Sequence, residues 1–170
     1  MHNTRSPEQW NIISKHVDFK DKTVLDLGAG YGDLLFKFSE ARKIYAVDKD
    51  TFPLHKRIAE SDLRVKIYGG NIDDMCKENP PFGNVDIIIC FSVLPYLSHP
   101  FTVLEWIKEH SQIALIECQY FTDGPGSELI KNDNDMRALL SSVGWQSIEA
   151  IGKTLVEGRN KYRTIWRCIK

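Results

Sequence analysis

One acid, Asp26, interrupts the short apolar run from Val24 to Leu27, and glycines follow it at positions 28, 30 and 32. A second acid, Asp48, ends another apolar run 20 residues after Gly28. A carboxylate at the end of a buried strand can pair with a cation through a charge-assisted hydrogen bond. Glycines let the backbone take positive φ and let a ligand pass close to the main chain. An acid at the distance of Asp48 reaches paired ribose hydroxyls in βαβ nucleotide sites. The amphipathic segment from Asp33 to Arg42 reads as a helix, so strand, glycine-rich turn and helix form the front half of a βαβ unit.

The rest of the chain supplies the frame for these residues. Ser6-Pro-Glu-Gln9 starts a helix, with Ser6 as cap, Pro7 in the first helical position and Gln9 at capping-box spacing. Trp10, Ile13 and Val17 share its apolar face. Arg5 and Trp10 either touch a ligand or serve as a surface arginine and a packed indole. After the glycine turn, Leu34, Leu35, Phe38 and Ala41 recur at helical spacing. Lys43–Asp48 is a second strand, and Phe52–Ser61 a second helix capped by Thr51 with Pro53 in its first turn. Leu63–Tyr68 alternates as a third strand, and Asn71–Glu78 is a short turn or helix before Pro80-Pro81. Val85–Phe91 is almost continuously apolar, as a central parallel strand buried on both faces should be.

Pro100–His110 reads as a helix and Gln112–Cys118 as a fifth strand. A helix capped by Asp133 or Asn134 runs to Val143 and ends at Gly144. Gln146–Ile151 and Tyr162–Ile169 flank a turn near Glu157-Gly-Arg-Asn160, and so short a connection makes them antiparallel. The expectation is one α/β domain over residues 1–170, a doubly wound seven-stranded sheet, mostly parallel. It has a leading helix within 1–20, a lid-like loop at 119–131 and a C-terminal antiparallel hairpin over 146–170.

Composition narrows the function classes. A chain of 170 residues with 42% hydrophobic and 26% charged residues can bury a real core, and a net charge of −1 does not suit a general polyanion binder. From Gly152 to Lys170 six basic residues stand against Glu157 alone, either a solvated face or an anion-attracting rim. Cys76, Cys90, Cys118 and Cys168 form no C-x-x-C pair or Cys/His cluster, which argues against disulfides and zinc. The opening Met-His-Asn-Thr-Arg is neither a signal peptide nor a membrane segment, so a cytoplasmic protein without a membrane partner is expected.

Four stretches together resemble the class I S-adenosylmethionine-dependent methyltransferases: Leu25-Asp-Leu-Gly-Ala-Gly-Tyr-Gly32, Ala46-Val-Asp48, Gly70-Asn-Ile72 and Asp86-Ile-Ile-Ile-Cys-Phe-Ser-Val-Leu94. The family pattern of an acid followed by glycines two, four and six residues later matches Asp26, Gly28, Gly30 and Gly32. The dinucleotide pattern G-x-G-x-x-G would need its third glycine where Asp33 stands. Asp26 and Asp33 would also repel a diphosphate. The resemblance implies S-adenosylmethionine as cofactor, with Asp26 facing the methionine ammonium, Gly28 and Gly30 passing against it, and Asp48 on the ribose with Lys49 beside it. Either Asn71, where the family commonly has an acid, or Asp73 reads the adenine amino group, with Ile72 at the ring edge. Phe91 and Ser92 border the methionine end and the reacting methyl.

The implied reaction is methyl transfer by in-line displacement, in which proximity and alignment do most of the work. A general base is needed only for an acceptor that must lose a proton. Glu117, Gln119 and Tyr120 are the candidate catalytic residues on the acceptor side, with His99 and Asp123 as further candidates. Glu117 stands out because it interrupts a buried strand and needs a partner there. Tyr96 either lines the acceptor site or is an ordinary helix-start aromatic. Arg159 and Arg163 could clamp an anion. The acceptor expected is a small molecule, anionic in one version, or the end of a glycan. Nucleic acid is not expected, because Ser92-Val-Leu-Pro-Tyr-Leu97 is not the Asn/Asp-Pro-Pro-Tyr element of adenine methyltransferases. The alternative is a binding or regulatory module without transfer activity.

Overall fold

The structure is a computed structural model describing residues 6–77, 81–120, 124–156 and 161–170. Seven strands form one sheet: β1 (Thr23–Leu27), β2 (Lys43–Asp48), β3 (Val65–Gly69), β4 (Val85–Phe91), β5 (Ser111–Glu117), β6 (Ser147–Val156) and β7 (Lys161–Ile169). Their order is β3-β2-β1-β4-β5-β7-β6. The first five run parallel, and β7 pairs antiparallel with both β5 and β6. The helices are α1 (Ser6–Ile13), α2 (Phe52–Ala59), α3 (Ile72–Met75), α4 (Pro100–His110) and α5 (Asp133–Val143).

Strand periodicity divides the core into two layers, because successive side chains point to opposite faces. Val24, Ile44, Ala46, Ile87, Ile89 and Leu115 pack with Ile13, Leu35, Phe38 and Leu54 on one face. Leu25, Leu27, Val47, Ile88, Cys90 and Ile116 pack with Leu104, Ile107, Met136 and Leu140 on the other. Trp10 belongs to the first layer, its ring lying 5.4 Å from Phe19 and 5.8 Å from Phe38. Winding reverses between β1 and β4, which opens a crevice at the carboxyl ends of these strands. That is where the glycine turn emerges.

The segment predicted as a helix from Asp33 to Arg42 is instead a 3-10 turn, Leu35–Lys37. The amides of Leu35, Lys37, Phe38 and Ala41 each donate to a carbonyl three residues back. A helix this short depends on packing for its stability. The compact turn already buries Leu34, Leu35 and Phe38, while Asp33 accepts from Arg57 and the Glu40 carbonyl accepts from the Asp21 amide. The connection from β3 to β4 likewise holds only the single turn α3. The expected strand–helix alternation therefore survives in full at α2, α4 and α5.

Two predicted caps shift by one residue. Asp50, not Thr51, accepts the Phe52 amide at 3.3 Å, and the Thr51 side chain makes no capping bond. Asn132 caps α5 by accepting from the amides of Asn134 and Asp135 at 2.8 and 3.1 Å. Ser6 lies within α1, and the residues before it lie outside the described ones. The predicted strand Gln146–Ile151 extends to Val156 because the register shifts between Ala150 and Gly152. A Cβ on Gly152 would lie 2.7 Å from the Ile12 side chain, so α1 packs directly on the bulge.

Candidate active site

A cavity of about 620 Å³ opens at the crevice between β1 and β4. The glycine turn after β1 forms its floor. The amides of Gly28 and Ala29 both donate to the Val47 carbonyl, at 2.8 and 3.1 Å, so β2 fixes the path of the turn. Gly28 has φ +76°, and a Cβ there would lie 2.3 Å from Val93 Cγ2. Only glycine allows the segment after β4 to close over the turn.

Asp26 lies on the cavity wall and is 5% exposed. Burial, with the Asp48 charge adding to it, raises its carboxyl to about 7. Such a group favours an incoming cation. Asp48 stands on the other side of the turn. Its Oδ2 accepts the Gly30 amide at 2.7 Å and its Oδ1 the Asp50 amide at 3.0 Å. A carboxylate has about four lone-pair sites, so two remain for a pair of hydroxyls.

Asn71 and Asp73 part company. Asp73 is 8% exposed, and its two oxygens accept the amides of Ser98 and His99 at 2.8 and 3.0 Å. It holds the far wall in place. Asn71 is exposed on the wall, its Oδ1 capping α3 through the Asp73 amide at 3.0 Å. Ile72, Lys49 and Phe91 complete this side, so all eight residues expected to hold the cofactor line one cavity.

The three acceptor-side candidates are placed differently. Glu117 is fully buried and is not on the cavity wall. Its Oε1 accepts from Gln9 Nε2 at 3.2 Å and Thr154 Oγ1 at 2.6 Å, and its Oε2 accepts from Ser92 Oγ at 2.8 Å. Arg163 Nη1 lies 3.7 Å from the same Oε2 and donates to Ser92 Oγ at 2.6 Å. Gln119 accepts from Arg163 Nη2. Arg163 is therefore buried in this network rather than displayed as an open clamp. Tyr120 donates to Asp133 at 2.6 Å and borders a separate hollow beside Lys153 and Tyr162. Burial and that bond push its phenol well above the ordinary value.

Two wall positions were read from sequence only as helix-start residues. Ser6 and Gln9 of α1 both line the cavity while being almost fully buried. A glutamine that helical spacing turns toward the sheet was the available signal. Tyr31 and Tyr96 stand at the wall, 46% and 55% exposed. His99 is exposed at the start of α4, away from the wall. In the loop at 119–131, Gly124 and Gly126 pack against the backbone of Leu94–Leu97, outside the cavity. Asp123, Arg5 and Arg159 lie outside the described residues. Among the described residues no helix is long and apolar enough to cross a membrane.

The strand order, the switch point and the cavity can be set beside known proteins. The structure of an S-adenosylmethionine-dependent methyltransferase from Aquifex aeolicus superposes with a TM-score of 0.68 at 20% identity, covering 96% of this chain and 93% of that one. Magnesium protoporphyrin IX methyltransferase from Synechocystis PCC 6803, with S-adenosylhomocysteine bound, superposes with a TM-score of 0.69 at 16% identity over 97% and 79%. The chain has the class I S-adenosylmethionine-dependent methyltransferase fold. Within this methyltransferase fold, the tRNA U34 carboxymethyltransferase of Sulfurimonas denitrificans is 22% identical over 95% of the chain. The chain spans 61% of that relative's length. No protein-family model matches. The relative's name runs against the expectation that nucleic acid is not a partner.

Proposed function

We propose that this chain binds S-adenosylmethionine in the crevice cavity and transfers its methyl group to an acceptor by in-line displacement. The observation that carries the reading is the pair Asp26 and Asp48 on either side of one glycine turn. Asp26 is a buried carboxyl suited to an ammonium, and Asp48 keeps two acceptor sites for a ribose diol. Gly28 and Gly30 lie along the cofactor between them, with Lys49 at the rim. Asn71 reads the adenine edge, since its side chain is exposed on the cavity wall whereas Asp73 is 8% exposed and holds the Ser98 and His99 amides. Ile72 packs on the ring, and Phe91 borders the methionine end.

The acceptor site lies beyond Ser92, between α1 and Tyr96. A small molecule or glycan end is the acceptor class we favour, in a space bounded by Gln9 and Ser92. Glu117 and Gln119 serve it from behind, through Ser92 and Arg163, and Tyr120 stands outside it. The test is transfer of labelled methyl from S-adenosylmethionine into separated small-molecule, glycan and RNA fractions of a cell extract. Label in the small-molecule or glycan fraction supports the reading. Label in RNA alone would replace that acceptor class. Binding of the cofactor without any labelled product would favour a regulatory module instead.

A further inference from the structure

Ser92 has φ +61°, in the left-handed region that a serine seldom occupies. Such outliers persist where the surroundings over-determine them, and they cluster at functional sites. Three contacts fix this one. The Ser92 amide donates to the Glu117 carbonyl at 2.8 Å, its hydroxyl donates to Glu117 Oε2 at 2.8 Å, and its oxygen accepts from Arg163 Nη1 at 2.6 Å.

A serine hydroxyl has one donor and two lone pairs. Glu117 takes the donor and Arg163 one lone pair. The oxygen keeps one acceptor position, on a residue that lines the cavity. Ser92 can therefore offer a ligand only an acceptor. Behind it, Glu117 is a carboxylate with no exposure, fastened by Gln9, Thr154 and Arg163. Thr154 and Arg163 come from the terminal hairpin and Gln9 from α1. Two distant parts of the chain thus converge to hold one acid under one hydroxyl.

We propose that Ser92 receives the proton of a protic methyl acceptor and passes its own proton to Glu117. The inference rests on the methyl-transfer reading and assigns the acceptor a hydroxyl or N–H group. The acceptor heteroatom forms its bond to the methyl carbon as the sulfur–carbon bond breaks, its electron pair remaining on sulfur. The heteroatom's proton moves to Ser92 Oγ, and the Ser92 proton crosses 2.8 Å to Glu117 Oε2. Glu117 ends as the neutral acid. Arg163 stays cationic and keeps the hydroxyl aimed. Ser92 touches the acceptor; Glu117 and Arg163 act through it.

The test uses Ser92→Gly and Glu117→Gln, with the wild-type chain as reference. Glycine adopts φ +61° without strain, which offsets part of the loss of the hydroxyl's bonds to Glu117 and Arg163, and Ser92→Gly should bind S-adenosylhomocysteine within about twofold of wild type. Methyl transfer into the labelled extract fraction should fall by about 10²–10⁴-fold in kcat, with little change in the KM for S-adenosylmethionine. Wild type should show a solvent deuterium isotope effect on kcat that Glu117→Gln lacks. Ser92→Gly at full rate, or an isotope effect unchanged in Glu117→Gln, overturns the relay. Weakened S-adenosylhomocysteine binding by Ser92→Gly also overturns it, by assigning the hydroxyl to the cofactor's ammonium. A wild-type chain that binds neither sulfur nucleotide, or binds and labels nothing, overturns the methyl-transfer reading and the relay with it.

Discussion

Thr154 donates to Glu117 Oε1 across 2.6 Å with both residues fully buried, which fastens the terminal hairpin to the end of β5. A hydrogen bond to a buried charge contributes about 1.5–3 kcal/mol. Thr154→Val keeps the shape and removes the donor. Denaturant unfolding should report a loss of that size, without a change in slope. A loss below about 0.5 kcal/mol would mean that Gln9 and Ser92 hold Glu117 unaided.

Asp26 should make the chain sensitive to pH. Its folded-state value of about 7 exceeds its ordinary value of 3.8. The folded form therefore holds a proton that the unfolded chain has released. The stability this group contributes is present below about pH 4 and is lost as pH rises through about 7. Unliganded wild type should thus lose ground to Asp26→Asn between pH 5 and pH 8, by on the order of a few kcal/mol. An ammonium ligand favours the ionised carboxylate. Binding of S-adenosylhomocysteine near pH 6 should release about one proton, as calorimetry in buffers of different ionisation enthalpy would show. Asp26→Asn should release none. Equal proton release from the two proteins would place the ammonium elsewhere.

Gly28→Ala should strike both fold and site. The new methyl would lie 2.3 Å from Val93 Cγ2, at a backbone φ of +76°. Left-handed backbone alone costs a side-chain-bearing residue about 1–2 kcal/mol. Melting temperature should drop, and S-adenosylhomocysteine affinity should fall by more than about tenfold, that is by more than about 1.4 kcal/mol. Adding Val93→Ala should return part of the stability by removing the clash. No recovery in the double variant would assign the cost to the backbone alone.

Asn71 and Asp73 make a discriminating pair. Asn71→Ala should weaken S-adenosylhomocysteine binding more than it lowers stability. Asp73→Ala should chiefly lower stability, because it removes the acceptor of the Ser98 and His99 amides. The reverse pattern would assign the adenine to Asp73.

Much of this was legible in the sequence, for reasons that differ from element to element. β2 and β4 match their predicted bounds because a buried parallel strand is an uninterrupted apolar run between polar ends. The glycine turn and Asp48 were legible because one βαβ unit sets their spacing locally. The missing helix after the turn was not, since Leu34, Leu35 and Phe38 suit a helix or a 3-10 turn equally. The strand read as ending at Ile151, whereas Ile12 packs against Gly152 at a bulge inside β6. Glu117 announced its need for partners by interrupting an apolar strand. Which partners they are was hidden, because Gln9 lies 108 residues away and Thr154 37 residues away along the chain.

The central claim is that the turn between Asp26 and Asp48 holds S-adenosylmethionine, and titration calorimetry tests it most directly. Wild-type chain would be titrated with S-adenosylhomocysteine, S-adenosylmethionine and NAD, and Asp48→Ala with the same three. The account predicts saturable one-to-one binding of both sulfur nucleotides to wild type and no binding of NAD. It also predicts a loss of at least about tenfold in affinity for Asp48→Ala, the hydroxyl acceptors having gone. Binding of NAD alone, or sulfur-nucleotide affinity unchanged in Asp48→Ala, would contradict it.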